Sequence, residues 1–226
     1  MSWIITGTEK YETDPYRSQV SLLLHGDGAN GSQTITDSSP SPKTVTAVGN
    51  AQISTAQSKF GGASLAFDGS GDYLDLSASS NFNFGTGNYT VEGWLYQSNV
   101  STNIIADFRV GQGQSIGIYS SISTDFRLAI ANNTAVILTS SISFLINTWT
   151  HWAVCREDST VRIFIGGTLA GSVTDSRNYT NSSCRIGANL VAGQGFNGYI
   201  DDLRITKGVA RYTSNFTPPT APFPDI

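Results

Sequence analysis

The feature that most limits what this chain can become is a cadence. Short runs of alternating apolar and polar residues return about every ten residues, and clusters of Gly, Asn, Ser and Asp stand between them. Alternation with a period of two lets a segment bury one face as a strand, and the clusters supply turn residues. No window repeats apolar residues at helical spacing for three turns, so long helices are excluded, and at most one short helical turn is expected near 207–212. Strands are expected near 20–25 (VSLLLH), 44–48, 51–53, 63–67 (ASLAF), 73–76, 89–96 (YTVEGWLY), 103–109 (NIIADFR), 115–119, 126–131 (FRLAIA), 135–139, 150–156, 160–165 (TVRIFI), 168–173, 184–187 and 199–205. Gly166-Gly167, between two such runs, fits a two-residue hairpin that needs positive φ. Many short strands without helices point to an all-β fold, an antiparallel two-sheet sandwich. The 226 residues can form it as one domain.

Composition narrows the partners. Charged residues make up 13% of the chain, against roughly 25% in typical globular domains, so Ser, Thr, Asn and Gly carry much of the surface. The net charge of −4 and the absence of a Lys/Arg run argue against nucleic acid or an anionic membrane as the main partner. No apolar run approaches the length of a membrane span, so no membrane insertion is expected. The first ten residues do not read as a signal peptide, because they lack a basic start and charges follow a short apolar run. The expected birthplace is therefore the cytosol. Cys155 and Cys184 each sit in an apolar-flanked strand (HWAVC, CRIGA) and are expected as buried free thiols, a disulfide between neighbouring strands being the alternative.

Residues 1–19 break the cadence: charge is scattered and Asp14-Pro15 interrupts any element. They are expected as an N-terminal arm, followed by a sandwich domain over 20–216 and a Pro-rich extended tail over 217–226. Apolar Trp3, Ile4 and Ile5 suggest that the arm is buried, on its own sheet or on another copy of the chain.

Four motifs stand in order: FDGSGDYLDL (67–76), FNFGTGNYTVEGW (82–94), WTHWAV (149–154) and FNGYIDDLRITKGVARYTSNFTPPTAPFP (196–224). Together they resemble the laminin-G/concanavalin-A-like jelly roll, in the variant common in phage and prophage structural proteins. The resemblance runs from about Val20 to Pro224 and implies a jelly-roll sandwich. It also implies that one Ca²⁺ often ties the last strand to the N-terminal strands. Asp201 and Asp202 would then be its side-chain donors, with Asp27 and carbonyls around Gly62 as partners, a hard-oxygen set. Capping of backbone N–H groups, or pairing with Arg204, is the competing use of those two carboxylates.

Glycoside hydrolases on this jelly roll use two glutamates flanking an aspartate on one strand face. The four glutamates here, Glu9, Glu12, Glu92 and Glu157, form no Glu-x-Asp-x-Glu run. His25 and His151 lie in strand patterns with no nucleophile elbow near any serine, so no catalytic residues are expected. Strand 89–96 places Glu92, Trp94 and Tyr96 on one face. Trp94 is expected in packing, while Glu92 with Arg109, Tyr119 and Arg127 can line a ligand surface. The resulting expectation is a non-enzymatic phage virion protein, a tail-fibre, receptor-binding or capsid-decoration module adhesive to host surface glycans. Its partners would be other virion proteins and further copies of itself, with a trimer as first guess. A purely structural cement protein and a glycan-cleaving enzyme are the alternatives.

Overall fold

The computed structural model describes residues 13–99, 103–109, 115–121, 127–131, 135–189 and 195–226. Among these, fifteen strands appear: β1 (Val20–Leu24), β2 (Val45–Val48), β3 (Gln52–Ser54), β4 (Ser64–Asp68), β5 (Tyr73–Leu76), β6 (Tyr89–Gln97), β7 (Asn103–Asp107), β8 (Gly117–Ser121), β9 (Arg127–Ala131), β10 (Val136–Ser143), β11 (Thr150–Glu157), β12 (Thr160–Ile165), β13 (Thr168–Thr174), β14 (Cys184–Ile186) and β15 (Asn197–Lys207). They form two antiparallel sheets packed as a sandwich. The first runs β13-β12-β11-β6-β15-β4-β3, with β1 also paired to β15, and the second runs β10-β9-β8-β7-β14-β5-β2.

The alternation does what the sequence requires. Val91, Leu95, Val154, Ile163 and Ile200 of the first sheet meet Leu74, Leu76, Ile118 and Ile186 of the second in one core. Burying such side chains contributes on the order of 25 cal/mol for each Å² of apolar surface removed from water. Gly166 and Gly167 close the β12–β13 hairpin at φ 57° and 78°, the positive pair a twisted two-residue turn needs. The expected helical turn near 207–212 is absent. Those residues follow the surface as bends, because Thr90 and Asp14 hold Arg211 in place. The short 3₁₀ turns lie instead at Arg17–Gln19 and Ser80–Phe82.

Strand β15 is the spine of the first sheet. Its first half, Asn197 to Ile200, pairs with β4, and its second half, Leu203 to Thr206, pairs with β1. Strand β6 runs along the other edge, with a register shift between Asp201 and Arg204. Asp202 sits in that bulge at φ 49°, the left-handed region that Asp enters more readily than most residues.

The tail lies over the outer face of the first sheet. Tyr212 and Phe216 stack on each other with ring centroids 3.6 Å apart and cover Ala153, Cys155 and Phe164. Farther on, Phe223 is buried against Val20 and Leu23. The end of the expected arm joins this layer, since Asp14 N–H donates to the Ile226 carbonyl at 3.1 Å. Trp3, Ile4 and Ile5 lie outside the described residues.

Cys155 and Cys184 are both free and buried. Cys155 lies under the tail and Cys184 lies in the core between the sheets. Burial pushes the Cys155 thiol up to about 12, and the Cys184 thiol well above its ordinary value. Thiol reagent at pH 8 is therefore expected to react with neither in the native protein and with both after denaturation. Rapid native labelling would show that the tail does not stay down.

Candidate functional site

The outer face of the first sheet is closed by charge as well as by rings. Glu92 on β6 and Arg204 on β15 are directly opposite in register. Arg204 Nε and Nη2 both donate to Glu92 Oε1, at 3.0 and 2.8 Å, and Nη1 donates to Asp14 Oδ2 at 3.2 Å. Arg211 clamps Asp14 with two bonds of 3.0 and 2.7 Å, and Tyr212 donates to Glu92 Oε2 at 2.8 Å. The Phe223 ring lies under the Arg204 guanidinium at 3.6 Å. His151 Nε2 comes only to 3.5 Å of Glu92, too long for a good hydrogen bond. Two carboxylates thus meet two guanidiniums, and the cluster is neutral.

This overturns the expectation that Glu92 lines a ligand surface. Its side chain is 0% exposed, because the tail roofs the face on which the alternation places it. Burial works to raise its carboxyl, but the Arg204 charge, with His151 and Arg211, outweighs burial and lowers it to about 2 from the usual 4.5. Trp94 is packing, as expected: it is buried against Phe60 and His151 with the Lys59 ammonium 4.0 Å from its ring.

The paired aspartates at the bulge are turned to different tasks. Asp201 Oδ2 accepts the backbone N–H groups of Lys59 and Phe60 at 2.6 and 3.1 Å. Asp202 Oδ1 meets His25 Nδ1 at 2.7 Å, and its Oδ2 accepts the Phe223 N–H at 2.7 Å. Both oxygens of Asp202 are therefore taken, and neither aspartate pairs with Arg204. Asp27 is exposed, and its carboxylate lies so close over Gly61 that a Cβ there would come within 1.9 Å of it. Among the described residues, no three His, Cys, Asp or Glu side chains gather in a way that could hold a metal ion. The three carboxylates still feel one another. Burial, then Asp202 and Asp27, raise the Asp201 carboxyl to about 7 against the pull of its two N–H donors. Asp201 and Asp27 supply oxygens of the kind a hard cation takes, and the like charge around Asp201 is what such an ion would relieve.

The outer face of the second sheet carries a row that sequence reasoning saw only in part. Thr46, Asp75, Arg185, Asp107, Gly117 and Ala131 stand opposite one another, strand to strand, from β2 to β9. Leu74, Leu76, Ile186 and Ile118 point into the core, so their neighbours Tyr73, Asp75, Arg185 and Tyr119 face outward. Arg185 donates to Asp75 Oδ1 through Nε and Nη2, at 3.2 and 3.1 Å, and stacks on Tyr73 at 3.9 Å. Arg109 grips Asp107 with two side-chain bonds of 2.8 and 3.1 Å. Its guanidinium lies over Gly117, where a Cβ would come within 2.6 Å of it. Arg109 and Tyr119 are thus brought to one face. The Arg127 side chain lies outside the described residues, although its backbone is in β9. Tyr73, Asp75, Asp107 and Arg185 were missed. The YLDL alternation marked the first two, but pairing across 110 positions between Asp75 and Arg185 leaves no local trace.

Residues 68–211 match the family described as the concanavalin A-like lectin/glucanases superfamily, in its laminin G form. The chain belongs to this family. Among solved structures, it is similar to domain 4 of AbnA, a GH43 extracellular arabinanase from Geobacillus stearothermophilus, in complex with arabinotriose. That likeness has 18% identity and a TM-score of 0.64, and covers 85% of this chain and 94% of that one. It is also similar to a structure of botulinum neurotoxin type C titled for cell entry through two ganglioside molecules, at 16% identity and a TM-score of 0.61, covering 86% of this chain. The binding domain of botulinum neurotoxin DC in complex with rat synaptotagmin II gives the same identity, TM-score and coverage. The chain spans 49% of each toxin chain. Comparison with curated protein sequences gives no match. These likenesses establish the concanavalin A-like fold.

Removing one partner from the sealed cluster strands a buried charge, so Glu92→Gln is expected to destabilise the fold by about 3–5 kcal/mol. The sign with pH follows from the lowered carboxyl. The Glu92 contribution is fully present above pH 4.5 and is lost as pH falls through 4.5 towards 2. Denaturant titrations at several pH values should show that acid loss in the wild type and a flatter profile in Glu92→Gln.

Proposed function

We propose that this chain is a non-enzymatic, carbohydrate-binding lectin-like module of a tailed-phage virion, which engages host surface glycans through the outer face of its second sheet. The observation that carries this reading is the row Asp75–Arg185–Arg109 flanked by Tyr73 and Tyr119, with the buried Asp107 holding Arg109 in place. Planar guanidiniums and carboxylates, already paired and held in register, offer fixed donors and acceptors to sugar hydroxyls, and the flanking rings offer apolar surface. Family membership supports it, and so do the arabinotriose and ganglioside named for two structures of this fold. The virion setting is supported by the resemblance of SLLLHGDG, AQISTAQSKFGGASLAFDG and ITKGVARYTSNFTPPTAPFP to phage structural proteins. Assembly into a homo-oligomer, a trimer in the first instance, belongs to the same proposal.

The non-enzymatic part rests on how carboxylates are used. Asp75 and Asp107 are each engaged by an arginine, and Glu92 is sealed. A retaining glycosidase needs two carboxyl groups free to act on one bond. Binding to an array of neutral and acidic glycans tests the reading. Arg185→Ala is expected to weaken binding through the second sheet by about tenfold or more, and incubation with the bound glycan should release no reducing ends. Release of reducing ends, or an array with no binding at all, would sink it.

A structural Ca²⁺ on Asp201 and Asp27 belongs to the proposal as well. Its role would be to neutralise the acidic end of β15 and tie it to the loop at Lys59–Phe60. At a concentration one hundred times its Kd, such an ion adds about 2.7 kcal/mol of stability. Calorimetry should show Ca²⁺ raising the Tm of the wild type and leaving Asp201→Asn unmoved. A wild-type Tm indifferent to both Ca²⁺ and chelator removes the site.

A further inference from the structure

We propose a second glycan site on the opposite side of the sandwich, at the end of the first sheet that the tail leaves uncovered, and assign its ligand as an uncharged oligosaccharide. It rests on the reading of the chain as a glycan-binding module and adds a face to it. Gln52, Ala66, Tyr199 and Tyr96 stand opposite one another across β3, β4, β15 and β6. Their sequence neighbours Ile53, Leu65, Ile200 and Leu95 point into the core, so this row faces outward. Trp149, just before β11, extends the row. Its ring centroid is 5.5 Å from that of Tyr96, and Tyr96 is 5.8 Å from Tyr199. All three rings are half-buried, which fixes them while leaving a face to solvent.

Beside the rings lies a cleft of about 420 Å³. Four amides contribute to its lining: Asn30, Asn50, Gln52 and Asn197. Each is anchored at one end. Asn30 Oδ1 accepts the Thr55 N–H at 3.0 Å, Asn50 Oδ1 accepts from Gln52 Nε2 at 3.0 Å, and Asn197 Nδ2 donates to the Asp68 carbonyl at 2.8 Å. The opposite ends, Asn30 Nδ2, Asn50 Nδ2, Gln52 Oε1 and Asn197 Oδ1, have no protein partner among the described residues. Ala66 is the small residue that leaves the hollow between Gln52 and Tyr199.

The chemistry selects the ligand. Aromatic rings present a flat apolar surface to the C–H face of a pyranose, and fixed amides, each both donor and acceptor, match adjacent hydroxyls. No lysine or arginine lines the cleft, whereas Asp68 and the buried Asp72 do. A phosphate, sulfate or uronate would meet negative charge with nothing to pair it. A neutral sugar chain meets no such charge penalty.

Isothermal titration of the full chain with maltohexaose, cellohexaose and chitohexaose tests this. At least one is expected to bind saturably. Ala66→Arg, which fills the hollow from a half-buried strand position, and Tyr199→Ala should each weaken it by about tenfold or more. Circular dichroism and Tm of Ala66→Arg check that the sandwich is intact. Binding that survives Ala66→Arg but is lost in Arg185→Ala upholds the glycan reading and overturns this site. Failure of the wild type to bind any of the three also overturns it, and the wider glycan array then decides separately the reading on which it rests.

Discussion

Strand β15 has to be in two places at once, and the bulge at Asp201–Asp202 is how it manages. Its first half completes the sheet beside β4 and its second half beside β1, so one edge changes partner midway along the strand. A straight strand cannot do this without leaving backbone groups unpaired on one side. The register shift bends the strand, and Asp202 adopts a left-handed conformation to close the bend. A non-glycine residue there costs of order 1–3 kcal/mol. The two carboxylates offset it by holding separate pieces of chain: Asp201 the loop at Lys59 and Phe60, Asp202 the end of β1 through His25 and the tail through Phe223. The sandwich, its N-terminal strand and its tail therefore converge on a single kink.

From that kink follows the covered face. Once Phe223 is held, the tail must cross the sheet over Glu92, and a lone carboxylate there would be intolerable in so dry a place. Arg204 and Arg211 neutralise Glu92 and Asp14 together, and Tyr212 takes the remaining Glu92 oxygen. A buried cluster of this kind is weak evidence for extra stability, because apolar residues of the same shape often do as well. What it adds is register. Asp14, Glu92, Arg204 and Arg211 come from four separate segments, and only one placement of the tail pairs them all.

The strand positions and the absence of helix were legible because a two-residue period is a local signal. Fifteen expected strands correspond to the fifteen observed among the described residues, with shifts at their ends. Which face of a strand meets solvent was not legible. The alternation in YTVEGWLY separates Val91 and Leu95 from Glu92 and Trp94, but it cannot say that residues 209–223 will lie over the latter. Glu92 was misplaced for that reason. The acid–base row on the second sheet was half legible for a related one. Arg109 lies just past β7 and Tyr119 in the neighbouring β8, while Asp75 and Arg185 meet only after the whole second sheet is assembled. The adjacent aspartates of IDDLRI were conspicuous in sequence, and the structure uses both, yet the side of the strand each serves depends on a bulge that no spacing announces.

The two exposed faces differ in a way that follows from where charge has been spent. On the second sheet Arg185 is paired with the half-exposed Asp75 and Arg109 with the buried Asp107, so its groups are charged but pairwise neutral. On the proposed reading, a ligand there must compete with an existing partner for each bond, so the surface would discriminate by geometry more than by strength. At the uncovered end of the first sheet the polar groups are uncharged amides with one end unspent, set beside three rings. A ligand at the proposed site would displace water alone and gain ring contact, which suits weak but additive recognition of a repeating, uncharged chain. The covered half of the first sheet could serve neither purpose, because its charge is sealed and its rings are stacked on the tail. The tail, by closing that half, confines the proposed recognition to the two surfaces beside it.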